Sequence, residues 1–212
     1  MVKAWMLRPK PHDINRMREF IDKSIVAIGW PELASLEGKG KSYLNSELPK
    51  HFPNDTITQI GIAAGTIDRF VNEIRVGDIL VVPNDKDIYF CKVTSGYCYD
   101  MTKSSDTEGY PHQRQVQWIK GPVRREDIPE SVRGSLRAPR TLADLSHHID
   151  DILSYIGDEP SKLINNNTEE DEYLVFDYPI RLDKVATIKI PKDITQNEAT
   201  RLGDYVKTLY FN

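Results

Sequence analysis

At 212 residues, 39% of them hydrophobic, the chain is long enough for one or two domains with a real core, and its formal net charge of −4 gives it no global polyanion-binding signature. No apolar run approaches the ~18 residues of a membrane span, and residues 1–11 read as a mixed strand-like run rather than a signal peptide, so a cytoplasmic protein is expected. The only cysteines, Cys91 and Cys98, form no CxxC pair or His/Cys cluster, so two reduced thiols are expected, with no disulfide framework, no zinc and no cofactor.

Residues 3–7 read as a first strand, interrupted by Pro9 and Pro11. Asp13 is placed to cap a helix over 14–23, with Ile14, Met17, Phe20 and Ile21 on one face. Residues 24–28 form a short β-branched run, a buried strand, which ends in Gly29-Trp30-Pro31 where the chain must turn. A glycine- and lysine-containing loop over 36–41 leads to a short helix over 42–48. A longer helix over 56–74 follows, with Ile60, Ala64, Ile67 and Phe70 at helical spacing. Residues 76–118 hold three strands, the first two joined by the turn Asn84-Asp85-Lys86-Asp87 and the third following a polar loop over 101–111. Thr141 is expected to cap a helix to about Tyr155.

Residues 158–172 change composition, with Asn165-Asn166-Asn167 and then Glu169-Glu170-Asp171-Glu172, and read as a linker. Beyond it a hairpin about Asp183-Lys184 and a helix opened by the capping box Thr195-Gln196-Asn197-Glu198 make a ββα tail, with Ala199, Leu202, Val206 and Leu209 expected inward. The expected organisation is therefore a main domain over 1–157, a linker over 158–172 and a tail over 173–212, the tail read as a protein-interaction module. From Asp158 onward there are eleven acidic against seven basic residues, so the preceding part balances, and within it residues 112–140 are basic. A locally positive face there suits phosphate contacts, with Arg124, Arg125, Arg133 and Arg137, and Arg140 beyond them, as the candidates.

No GxSxG, P-loop, GxGxxG or HExxH motif is present, so no catalytic role is assigned. His147 and His148 are adjacent and face different directions on a helix, whereas a metal pair uses i, i+4. The informative constellation is aromatic. Trp5, Trp30, Tyr97, Tyr99, Tyr110 and Trp118 fall at strand ends and loops, where aromatic faces can stack a base, and an extruded base also needs polar groups at its edge. Asp100, His112 and Arg114 are residues of that kind, and Trp30, in its Gly-Trp-Pro turn, is the best single stacking candidate.

An ordered series of segments carries a family resemblance. Gly29-Trp30-Pro31-Glu32-Leu33, then Phe70-Val71-Asn72-Glu73-Ile74 running into Gly77-Asp78-Ile79-Leu80-Val81-Val82-Pro83, then Lys92-Val93-Thr94-Ser95-Gly96-Tyr97-Cys98-Tyr99-Asp100 and His112-Gln113-Arg114-Gln115-Val116-Gln117-Trp118, resembles the EVE-like, PUA-superfamily domain found beside modification-dependent restriction nucleases of the Mrr and McrB kinds. The resemblance covers roughly residues 1–142. It implies an α+β fold, a β pseudo-barrel with flanking helices, that flips a modified base in nucleic acid, DNA ahead of RNA, into an aromatic pocket in a prokaryotic or phage defence or counter-defence setting. Carried over by position, the pocket is Trp30, the turn with Tyr97, Tyr99 and Asp100, and the strand start with His112 and Arg114; Trp118 joins it as a candidate from the aromatic constellation. No nuclease or motor domain accompanies it here, which implies a reader without cleavage, and Gln113 and Gln115 stand where relatives are often basic. A free nucleotide held by the same aromatics and Arg114, making the chain a sensor or sponge, is the alternative.

Overall fold

The computed structural model describes residues 2–105, 107–157, 173–181, 184–191 and 194–207, and the chain divides into two compact units, Met1–Ile164 and Asn165–Asn212. The first unit is built on one curled mixed sheet. Its strands are β1 (Ala4–Leu7), β2 (Ile25–Ile28), β3 (Ile79–Asn84), β4 (Asp87–Val93), β5 (Cys98–Tyr99), β6 (His112–Arg124) and β7 (Leu142–Asp144). They run in the order β2-β6-β4-β3-β1-β7, with β5 paired to the start of β6; β1 and β3 are parallel and the other pairs antiparallel.

The sheet is buried on both faces, which is why β1, β3 and β4 read as nearly continuous apolar runs rather than alternating ones. Successive residues still go to opposite sides. Trp5, Leu7, Leu80, Val82, Tyr89 and Cys91 enter one core with Phe20, Leu44, Leu48, Ile60, Ala64 and Ile67. Ala4, Met6, Ile79, Val81, Ile88 and Phe90 enter the other with Val132 and Ile152. The first core is covered by α1 (Met17–Asp22), α2 (Lys41–His51) and α3 (Ile57–Asp68), and the second by α4 (Glu130–Ser135) and α5 (Ile149–Gly157).

The curl has a visible cause in β6. Its first four residues pair with β2 and the rest with β4, and the register against β4 slips around Phe90. Gly121 sits opposite that slip at φ 130°, and a Cβ there would lie 2.9 Å from Ile88 O and Tyr89 Cα, so only glycine fits. A buried carboxylate closes the other side. Asp78 accepts from the backbone N–H groups of Lys3 and Arg75 and from Trp5 Nε1–H, tying β1 to the entry of β3.

Two sequence expectations for the first unit are corrected. Asp13 does not cap the first helix; it adopts φ 58° in a 3-10 turn, the helix begins at Met17, and Asn15 Oδ1 takes the Met17 N–H instead. Thr141 does not open a helix, because Leu142–Asp144 adds to β1 as an edge strand and the helix starts only at Ile149. Leu142 and Leu145, three residues apart, fit either structure by spacing, and pairing with β1 decides between them.

The second unit holds β8 (Tyr173–Arg181) antiparallel to β9 (Lys184–Pro191), and α6 (Gln196–Val206). Thr195 and Glu198 form the expected capping box, Glu198 Oε2 accepting from the Thr195 N–H at 2.9 Å. The inward positions expected on this helix are corrected: Ala199 is exposed, and Leu202 and Val206 are 37% and 51% exposed. Leu209, the hairpin turn at residues 182–183 and the linker at residues 158–172 lie outside the described residues. No helix among the described residues is long and apolar enough to cross a membrane.

Candidate nucleic-acid interface

β2 ends at Ile28, and the next residues turn sharply. Trp30 adopts φ 64°, the left-handed region, where a bulky side chain is an outlier costing on the order of 1–2 kcal/mol. The carbonyl of this strained residue is held twice. It accepts from the Leu33 N–H at 3.1 Å and from His112 Nε2 at 3.2 Å.

That contact fixes the tautomer of His112. A carbonyl only accepts, so Nε2 carries the proton, and Nδ1 is then the acceptor for the Tyr97 hydroxyl at 2.8 Å. The Tyr97 oxygen in turn accepts from the Leu36 N–H at 3.1 Å. The rings of Tyr97 and Tyr99 pack on the imidazole, with centroids 5.9 Å and 5.5 Å away. His112 is fully buried, and burial pushes its pKa down to about 4, so it is neutral at pH 7.

The remaining expected pocket residues are structural. Arg114 is buried and caps the end of α3 where it loosens into a π turn over Arg69–Glu73. Its Nε and Nη2 donate to the carbonyls of Phe70 and Val71 at 2.8 Å each, and Nη1 to Ser95 O at 3.2 Å. Burial lowers its pKa to about 10, which leaves it cationic at neutral pH. Trp118 is buried edge-on against Tyr89 and donates Nε1–H to Phe20 O at 3.3 Å. Asp100 caps a turn, accepting from Thr102 N–H and Oγ1. The pocket expected around His112, Arg114 and Trp118 is therefore corrected: their polar atoms are spent on the protein's own backbone and on the Tyr97 hydroxyl, and none of the three lines any cavity described below.

Trp30 does line a cavity, on the other side. An open cavity of about 680 Å³ lies between Trp30, the outward face of α3 and the segment before β7. Three cations reach it, Lys41 from the first turn of α2, Arg69 from the end of α3, and Arg140. None of them has a hydrogen-bond or ion-pair partner for its side chain among the described residues. Asp55 is the one carboxylate in the lining. The wall on α3 is bare at Gly61 and Gly65, where an added Cβ would meet nothing within 4 Å or only Arg69 Nη1 at 3.8 Å. α3 is held at its start by a capping box between Thr56 and Gln59. The chain around Arg140 is fixed by Arg8, which donates to Ala138 O at 2.9 Å and, through its backbone N–H, to Thr141 O at 2.9 Å.

A smaller cavity of about 240 Å³ shares Trp30 and Thr141 with the first and is lined by Lys10, His12, Asp13, Gly29, Glu32 and Phe52. Of the expected phosphate contacts, Arg124 and Arg125 line a third cavity of about 430 Å³ with Lys86, Asp85 and Glu126, Arg124 lying 3.7 Å from Asp87. Arg137 is exposed. Arg133 is corrected to a clamp within its own segment, donating to Glu126 O and Ile128 O.

Sequence reasoning placed Trp30 and mentioned Arg140, and missed Lys41 and Arg69. The signal for the missed wall is the pair Gly61 and Gly65. Each costs a helix interior up to ~1 kcal/mol relative to alanine, yet neither makes room for a packed neighbour.

A family model described as a domain of unknown function (DUF8426) matches residues 5–146, which spans the curled sheet and the Trp30 cavity. No curated protein matches the chain.

Proposed function

The chain belongs to the DUF8426 family, and for it we propose a non-catalytic nucleic-acid reader that holds a base against Trp30 and the adjoining phosphates on Lys41, Arg69 and Arg140. The observation that carries this reading is three cations, without a side-chain partner among the described residues, converging on one aromatic-walled cavity, in a chain whose net charge is −4. Unpaired guanidinium and ammonium groups around a concave aromatic site suit a ligand that is anionic at one end and planar at the other. In the same reading the curled sheet with its flanking helices is the PUA/EVE-like pseudo-barrel, DNA is the expected partner ahead of RNA, the base is a modified one, and the setting is prokaryotic or phage defence or counter-defence.

Fluorescence anisotropy with single- and double-stranded DNA and RNA, plain and base-modified, tests it at low salt. The reading expects binding that falls at least tenfold in Trp30→Ala while the melting transition stays cooperative. Absence of binding by every oligonucleotide, or binding indifferent to Trp30→Ala, contradicts it. A second reading follows from size. About 680 Å³ also suits a small free ligand, and a nucleotide retained through purification and seen by mass spectrometry would turn the reader into a nucleotide sensor.

A further inference from the structure

Trp30, half-buried against the first core, lines two cavities rather than one. The 680 Å³ and 240 Å³ cavities both have it in their walls, and Thr141 is their other shared residue. The two sides differ in charge. Lys41, Arg69 and Arg140 outnumber Asp55 on the larger side, whereas Asp13 and Glu32 outnumber Lys10 on the smaller, and Lys10 is drawn toward Asp85 at 3.8 Å. Neither Asp13 nor Glu32 has a side-chain partner among the described residues.

Resting on the reading above, we infer that the ligand is a two-nucleotide step of a single strand, with its two bases on either side of the Trp30 indole. A base alone fits the smaller cavity, which is too small for a whole nucleotide with its hydrated phosphate, and the larger one takes the second nucleotide with its anionic groups. A residue that meets a ligand in both cavities also accounts for the strained turn. The left-handed φ of Trp30 is held by His112 and Leu33 through its carbonyl, and His12 and Asp13, at φ 50° and 58°, line the smaller cavity.

The carboxylates assign an edge preference. Asp13 and Glu32 accept hydrogen bonds, so the base in the small cavity is one that offers amino hydrogens, cytosine, adenine or guanine. Thymine and uracil present two carbonyl oxygens flanking a single N–H, and those oxygens repel a carboxylate.

Calorimetric titration of the full chain at low salt with synthetic dinucleotides tests the inference. The probes are the two-base step d(CpC), the same backbone with either sugar abasic, and d(TpT). All carry the same phosphate charge, so they differ only in their bases. The inference expects each abasic replacement to cost at least fivefold in affinity, d(TpT) to bind at least fivefold more weakly than d(CpC), and Glu32→Gln with Asp13→Asn to remove the second difference, d(TpT) binding more tightly once the repelling carboxylates are gone. If one abasic replacement costs nothing, Trp30 serves a single base and the two-sided assignment fails while the reader proposal stands. If no dinucleotide binds but longer oligonucleotides do, and their affinity is indifferent to which bases flank one abasic site, the assignment fails in the same way. If no oligonucleotide of any length binds, both fail together.

Discussion

His112 shows how a residue of the right chemical type can lie near a site and act from behind it. Its imidazole passes a hydrogen bond to the Trp30 carbonyl and receives one from Tyr97, all within the interior. Its folded pKa of about 4 lies below the 6.5 of an exposed imidazole. The unfolded chain therefore takes up a proton first as pH falls, so this contribution to stability is complete above pH 6.5 and is lost between 6.5 and about 4, where stability rises with pH. The full span is worth about 3 kcal/mol. Denaturant unfolding at pH 7 and pH 4.5 should show a loss that is smaller by about 2 kcal/mol or more in His112→Gln than in the parent. An identical pH dependence in the two proteins would show that the imidazole is not held neutral. Arg114 is the second such residue. Arg114→Met leaves three carbonyls without a donor and should cost at least about 3 kcal/mol in unfolding free energy. Arg114→Lys should not restore it, because a single ammonium lacks the planar fork that serves them. From the sequence these two were indistinguishable from ligand-facing groups. Residue type was legible, and the direction of a side chain on a strand buried on both faces was not.

At the scale of elements, α3 presents a stabilising face and a costly one. Ile60, Ala64 and Ile67 pack inward, while Ile62 is 62% exposed beside Gly61 and Gly65 on the cavity wall. Gly61→Ala and Gly65→Ala each should raise stability by about 0.5–1 kcal/mol, since the added methyl meets open space or ordinary contact. The same substitutions should weaken oligonucleotide binding severalfold by filling the wall. Opposite signs for stability and binding are the signature; equal binding in both variants would mean that the glycines have no part in the site. The strands were readable in order because their apolar runs are long, and so was the helical stripe of α3. The edge strand at Leu142–Asp144 was not, because three residues carry no period of their own and only pairing with β1 defines them. The exposed Leu202 and Val206 teach the same lesson from the other side, since helical spacing gives a face without saying whether anything covers it.

At the scale of the whole molecule, charge is the feature that composition conceals. A net charge of −4 coexists with a cavity where three cations face one carboxylate. If those three neutralise phosphates of a single strand, the logarithm of the binding constant should fall with the logarithm of salt concentration with a slope of about −2. Arg140→Ala should make that slope shallower by about 0.7, a change visible in a salt series even if affinity at one salt concentration shifts little. An unchanged slope would place Arg140 outside the contact.

The central claim is that Trp30, and not the Tyr97 to Trp118 region, meets the base. Photo-crosslinking with a halogenated-uracil oligonucleotide, followed by digestion and mass spectrometry, locates that contact directly. The account predicts an adduct on Trp30, in the peptide that runs from Ser24 to Lys39 between two lysine cleavage sites. Adducts on Tyr97 or Tyr99 with Trp30 unmodified would contradict it.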